Sequence, residues 1–296
     1  MKALYYSAVA RSKLAVNSRT VLGVRRAIDR LPLLGRAFLA IRRSAARLLL
    51  PKRLTWVQVE GGLAQDLWLL LDLDREGGYW IGTYESEVQA FLRRVSISGS
   101  VFYDIGASLG FFSLAVAKCV GPGGKVFGFE PESENTRRFR EMIVRNKLDD
   151  RVTIVEAAAW AGSSAGIGFV RGGRQNTYGG VAADGVRPVL AEGETRSVEA
   201  VSLDDFVAQG HLGPNVIKID VEGGECEVLK GARQIFSQDR PALVCEVHHQ
   251  GAANWIAGWL AEMDYVAEWR VPDELFPRIL LAQASPCDAR RVALRP

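Results

Sequence analysis

A chain of 296 residues is long enough for one large α/β domain with an appendage. Its composition, 48% hydrophobic and 24% charged, is that of a globular protein. Four cysteines without a C-x-x-C pair and three histidines weigh against a disulfide framework and a multi-histidine metal site. The net charge of +3 hides an asymmetry: residues 1–53 hold thirteen Lys/Arg against one acid, Asp29, a charge of +12, while the remaining 24 basic and 33 acidic residues give −9.

Residues 14–50 read as helical in two pieces, broken near Leu31-Pro32. In the second piece Leu34, Phe38, Ile41, Ala45 and Leu48 share one face, with Arg36, Arg43 and Arg47 opposite. Such a basic amphipathic helix suits packing on the acidic body or a partner helix, or peripheral contact with an anionic membrane. With few interleaved aromatics, nucleic acid is not an expected partner. No run reaches the ~18 apolar residues of a spanning helix, and Arg11, Lys13 and Arg19 interrupt the apolar start of the chain. The expected location is therefore cytoplasmic, with possible peripheral contact at the inner face of a membrane.

Residues 54–73 read as a hairpin around Gly61-Gly62, followed by Tyr79 to Glu85 and a helix to about Val95. From Val101 the pattern alternates. Strands are expected at 101–105, 124–129, 151–156, 215–219 and 241–247, and helices at 110–120, 132–147, 225–237 and 252–263. Alternation of this kind predicts a Rossmann-like α/β fold with a doubly wound, mostly parallel sheet. The Gly- and Ala-rich stretch 161–200 breaks the rhythm and reads as a β-hairpin or lid insertion. Three regions follow: a basic helical extension (1–53), a strand and helix lead-in (54–100), and the main domain (101–296).

The chemistry concentrates at strand ends. Asp104, Gly106 and Gly110 form D-x-G-x-x-x-G between a strand and a helix, a turn that aims backbone N–H groups at a nucleotide-like ligand. The spacing departs from the G-x-G-x-x-G of dinucleotide sites and matches that of S-adenosyl-L-methionine sites. The glycines, with Ala107 between them, let the backbone approach the amino-acid part of the donor, and Asp104 is placed to reach its amino group. One strand later Glu130 is placed to accept the ribose hydroxyls. Adenine is expected near Glu156-Ala157-Ala158. A third strand ends in Asp220-Val221-Glu222-Gly223-Gly224-Glu225. Carboxylates this close raise one another's pKa unless a cation sits nearby. A sulfonium, Lys218, an arginine or a metal ion are the alternatives for that counterion, and no metal is assigned.

These motifs, with Phe129-Glu130-Pro131, Gly82-Thr83-Tyr84-Glu85, Val201-Ser202-Leu203-Asp204-Asp205 and Cys245-Glu246-Val247-His248, resemble the FkbM family of class I methyltransferases over roughly residues 80–265. Ser108 stands where that family usually has Asn, and Ser is expected still to cap the helix. The resemblance implies S-adenosyl-L-methionine as methyl donor. It also implies O-methylation of a sugar, glycan or other natural product. An alcohol needs a base to lose its proton. Asp220, Glu222 and His248 are the main candidates, with Glu85 a further one that is also placed near the donor. Alternatives are methylation of a nucleic acid or protein, or a non-catalytic cofactor-binding scaffold. The acceptor and the oligomeric state are not encoded in any recognisable motif.

Overall fold

The computed structural model describes residues 54–73, 75–95, 97–172, 179–182, 193–270 and 276–285, so the basic arm read from residues 14–50 lies outside the described residues. The chain divides into two compact units, Met1–Ser86 and Glu87–Pro296. In the first, β1 (Thr55–Gln58) and β2 (Trp68–Leu71) pair antiparallel, with Thr55 opposite Leu71, and α1 (Gly77–Ile81) follows. The Trp80 indole N–H donates to the Gln58 carbonyl at 3.0 Å, which pins α1 to the hairpin.

The second unit opens with α2 (Ser86–Arg94) and is built on a seven-stranded sheet. Its parallel core comprises β3 (Val101–Ile105), β4 (Lys125–Phe129), β5 (Val152–Val155), β10 (Val216–Ile219) and β11 (Ala242–Val247). The strand order is β12-β13-β11-β10-β3-β4-β5, with β12 (Tyr265–Trp269) and β13 (Arg278–Ala284) completing one edge. β13 runs antiparallel to both neighbours. The parallel strands read as continuous apolar runs because both faces are covered by helices. These are α3 (Phe111–Val120), α4 (Ser133–Asn146), α6 (Glu225–Lys230), α7 (Arg233–Gln238) and α8 (Gln250–Glu262). One core cluster joins Tyr103, Phe127 and Phe129 of the sheet to Phe206 of α5 (Leu203–Ala208), with ring centroids 5.1–5.8 Å apart. That is the separation at which aromatic edges meet faces favourably.

The 161–200 insertion is a second sheet of order β6-β9-β7-β8. Here β7 (Ser164–Gly172) pairs antiparallel with β8 (Gly179–Ala182) and β9 (Gly193–Val201), and β6 (Ala158–Ala159) joins β9. The hairpin expected from sequence is therefore present, enlarged into four strands. The helix expected over 225–237 is instead two, α6 and α7. At Gly231 a Cβ would lie 2.1 Å from the Trp160 carbonyl oxygen, so this close approach interrupts the run. The terminal strands β12 and β13 carry no motif and went unread.

Candidate active site

Chain order reverses between β3 and β10. After β3 the chain moves outward to β4 and β5, and β10 later adds on the other side of β3. Loops leaving the carboxyl ends of these two strands flank that point, where open α/β sheets bind ligands. The glycine turn, Glu130 and the Asp220–Glu225 turn follow the carboxyl ends of β3, β4 and β10.

The turn after β3 is tightly fixed. The N–H groups of Gly106 and Ala107 both donate to the Phe129 carbonyl at 3.0 Å, tying the turn to the end of β4. Gly106 has φ 75°, and a Cβ there would lie 1.8 Å from the Asp220 carbonyl oxygen. Gly110 has φ 85°, and a Cβ there would meet the Phe139 ring at 2.1 Å. Glycine is thus required at both positions by conformation and by packing. Between them Ser108 takes φ 50° and donates its backbone N–H to Glu130 Oε2 at 2.8 Å. The expected serine cap is not formed. Gly110 is the N-cap of α3, and no side chain caps that helix. The start of α3, where the helix dipole favours negative charge, faces out of this turn.

Glu130 joins the two loops. Its Oε1 accepts from the Glu132 N–H at 2.9 Å and from Asn135 Nδ2 at 3.3 Å, while Oε2 takes the Ser108 N–H. The residue is 5% exposed. Burial raises its pKa to about 7, against the lowering effect of those hydrogen bonds. Each carboxylate oxygen has more than one acceptor site, so the pair of ribose hydroxyls expected here is chemically compatible. Ala157 is buried between β5 and β6. Neighbouring Glu156 accepts from Thr136 Oγ1 at 3.0 Å and from Arg140 Nη2 at 2.6 Å. Glu85 belongs to the first unit, just before α2, with φ 41°.

Asp104 lies within β3, 1% exposed. Its Oδ2 accepts from Ser113 Oγ at 2.6 Å, and its Oδ1 faces Lys218 Nζ at 3.6 Å. The bond to Ser113 anchors α3 to the sheet.

The turn after β10 gathers the remaining acids. Glu222 takes φ 53°, a left-handed conformation uncommon outside glycine, so local strain sits within this motif. Glu225 is completely buried. Its Oε1 accepts the Gly223 N–H at 2.8 Å and contacts His248 Nδ1 at 2.6 Å. The other ring nitrogen of His248 lies 3.2 Å from Glu222 Oε2 and 3.9 Å from Asp220 Oδ1. Burial disfavours charge on the imidazole, but the hydrogen bonds to Glu222 and Glu225 and the charges of Glu225 and Asp220 outweigh it. The pKa is pushed up to about 11. The adjacent His249 is a helix cap, accepting the Ala252 N–H at 3.0 Å.

Asp220, Glu246 and His248 could offer ligand atoms within 4.8 Å of one another. The imidazolium of His248 already supplies positive charge among these acids. Sequence reasoning brought together Gly106, Ala107, Gly110 and Glu130, and also Asp220, Glu222 and His248. It missed Ser113 and the role of Glu225, which it read as a helix start. The alternation of side chains along β3 and β10 was the available signal for the Asp104–Lys218 contact.

A family model described as the methyltransferase FkbM domain matches residues 104–279. The hexuronic acid methyltransferase AglP of Haloferax volcanii is 28% identical over 189 residues, 62% of this chain and 67% of that protein. The crystal structure of an FkbM methyltransferase from Methylobacillus flagellatus is 21% identical, with a TM-score of 0.48. The match covers 66% of this chain and 46% of that one, less than half the relative's length. An O-methyltransferase from Bacillus cereus, solved with S-adenosylhomocysteine, is 14% identical with a TM-score of 0.44, covering 68% of this chain and 81% of that one. The family match begins at Asp104, leaving Gly82–Glu85 outside it, and runs past residue 265 through β12 to the start of β13. With more than half the chain matched, it belongs to the FkbM family and is an S-adenosylmethionine-dependent methyltransferase.

Proposed function

We propose that this enzyme methylates a sugar hydroxyl, with the donor held between the 106–110 turn and Glu130. The observation that carries the donor site is the Ser108 N–H bond to Glu130, which joins the glycine turn to the acid after β4 at 2.8 Å. The positive end of the α3 dipole, next to the glycine turn, suits the carboxylate of the donor's amino-acid part. Bound S-adenosylmethionine supplies a methyl group on a positively charged sulfur, which is displaced in line by the acceptor oxygen.

The chain's own work is to hold the acceptor in line and to receive the hydroxyl proton. With its pKa pushed up to about 11 by Glu222 and Glu225, His248 is read as the charged partner of the carboxylates rather than as the base. In this reading Asp220 or Glu222 accepts the proton, and His248 keeps both carboxylates oriented. Resemblance to a hexuronic acid methyltransferase supports a sugar acceptor. A hexuronic acid also offers a carboxylate, but a carboxylate acceptor would face Asp220 and Glu222, and like charges repel.

The test is to incubate the full chain with methyl-labelled S-adenosylmethionine and a panel of hexose and hexuronic acid glycosides. Base-stable label on a glycoside is expected, as for an ether. Base-labile label would mean an ester and overturn the hydroxyl assignment. Transfer only to RNA or protein added to the same assay would overturn the sugar class.

A further inference from the structure

Lys218 and Asp104 are direct partners across the parallel β10–β3 pair, so both side chains leave the same face of the sheet. Asp220 lies two residues beyond Lys218 and its carboxylate comes round to the same ammonium. Lys218 Nζ stands 3.6 Å from Asp104 Oδ1 and 3.4 Å from Asp220 Oδ2, with the residue only 4% exposed. The Phe112 ring lies 5.4 Å from the same nitrogen, and the next residue, Ser113, holds the far oxygen of Asp104. A chain of polar contacts thus runs Ser113, Asp104, Lys218, Asp220, from the helix that begins at the glycine turn to the acid turn. The two turns also meet directly, since Gly106 packs against the Asp220 carbonyl. At the Asp220 end, His248 Nε2 lies 3.9 Å from Asp220 Oδ1 and 3.2 Å from Glu222 Oε2, with Glu225 on the other ring nitrogen, while α3 presents the uncharged Phe112 and Ser113.

We propose that Lys218 is a positioning residue for donor binding: one buried ammonium locks the glycine turn and the acid turn in register by neutralising Asp104 and Asp220 together. The inference rests on the donor site proposed above. Two carboxylates sharing one buried cation repel each other once it is removed, and a proton can then substitute for it. The consequence is a donor affinity that depends on pH in the variant but not through this pair in the wild type.

The experiment is calorimetric titration of the full chain with S-adenosylhomocysteine at pH 8 and pH 6, for wild type, Lys218→Met and the charge-conserving Lys218→Arg. Lys218→Met is expected to lose about tenfold in affinity relative to wild type at pH 8 and to recover to within about threefold at pH 6. Lys218→Arg, which keeps the cation, is expected to stay within about threefold at both pH values. Should Lys218→Met not fold, Lys218→Arg carries the test alone, and a tenfold loss there contradicts the proposal. Equal affinity of Lys218→Met and wild type at pH 8, whatever happens to the melting temperature, would reduce Lys218 to a structural ion pair. Wild type that binds no S-adenosylhomocysteine sinks the donor site itself, an outcome distinct from failure of this inference.

Discussion

Glu130, placed in the proposed donor site, would make that site sensitive to pH. Its folded pKa of about 7 lies above the ordinary 4.5, so the folded protein holds this proton more tightly than the unfolded chain does. The contribution to stability is therefore greatest below pH 4.5 and is lost as pH rises to about 7, a swing on the order of 3 kcal/mol. Urea melts at pH 5 and pH 8 should show wild type losing ground to Glu130→Gln over that interval, and parallel curves would contradict the assignment. A ribose diol donates to the ionised carboxylate, so binding near pH 6.5 should release a proton. His248 shifts for the opposite reason, because carboxylates surround it. Nitrogen chemical shifts should show both ring nitrogens protonated at pH 8, and a neutral ring there would return His248 to the candidate bases. Residue types and spacing made Glu130 and His248 legible as site residues. Their protonation was not legible, because it depends on Ser108, Asn135 and Glu225 converging from separate segments.

At the scale of elements, the glycine turn was readable because its requirements are local, whereas the breaks came from distant neighbours. Gly110→Ala places a methyl against Phe139 in a left-handed conformation and should cost about 2 kcal/mol or more. Gly123→Ala meets nothing within 4 Å and should shift stability by less than about 0.5 kcal/mol. Equal effects in thermal melts would show that the turn is not packed as described. Gly231 stops a helix because Trp160, seventy residues earlier, passes beneath it. Strands β12 and β13 escaped reading for a related reason. They follow the last motif, and they join the sheet only through the pairing of β13 with β11, some thirty residues apart in the chain. Ser108 is the instructive miss. Its type suggested a cap, but its left-handed backbone turns its N–H to Glu130 while Gly110 begins the helix.

Across the whole molecule, the charge divide sets the +12 stretch of residues 1–53 against a −9 remainder. Among the described residues no helix is long and apolar enough to cross a membrane. The thirteen Lys/Arg of residues 1–53 would make contact of the arm with an anionic membrane electrostatic and salt-sensitive. Full-length protein should sediment with anionic vesicles at low salt, and a variant lacking residues 1–53 should not. Equal sedimentation would exclude the arm as the contact. The same truncation should leave S-adenosylhomocysteine affinity within about threefold, because the proposed donor contacts all lie beyond residue 53.

Beneath all of this lies the pairing of the glycine turn with Glu130 in one proposed donor site. Isothermal titration of the full chain with S-adenosylhomocysteine at pH 8, beside Glu130→Gln, addresses it most directly. The account predicts one site per chain in the wild type and an affinity weakened about tenfold or more in the variant, the loss of charge-assisted hydrogen bonds to the ribose. No binding heat in the wild type, or the same affinity in both proteins, would contradict it.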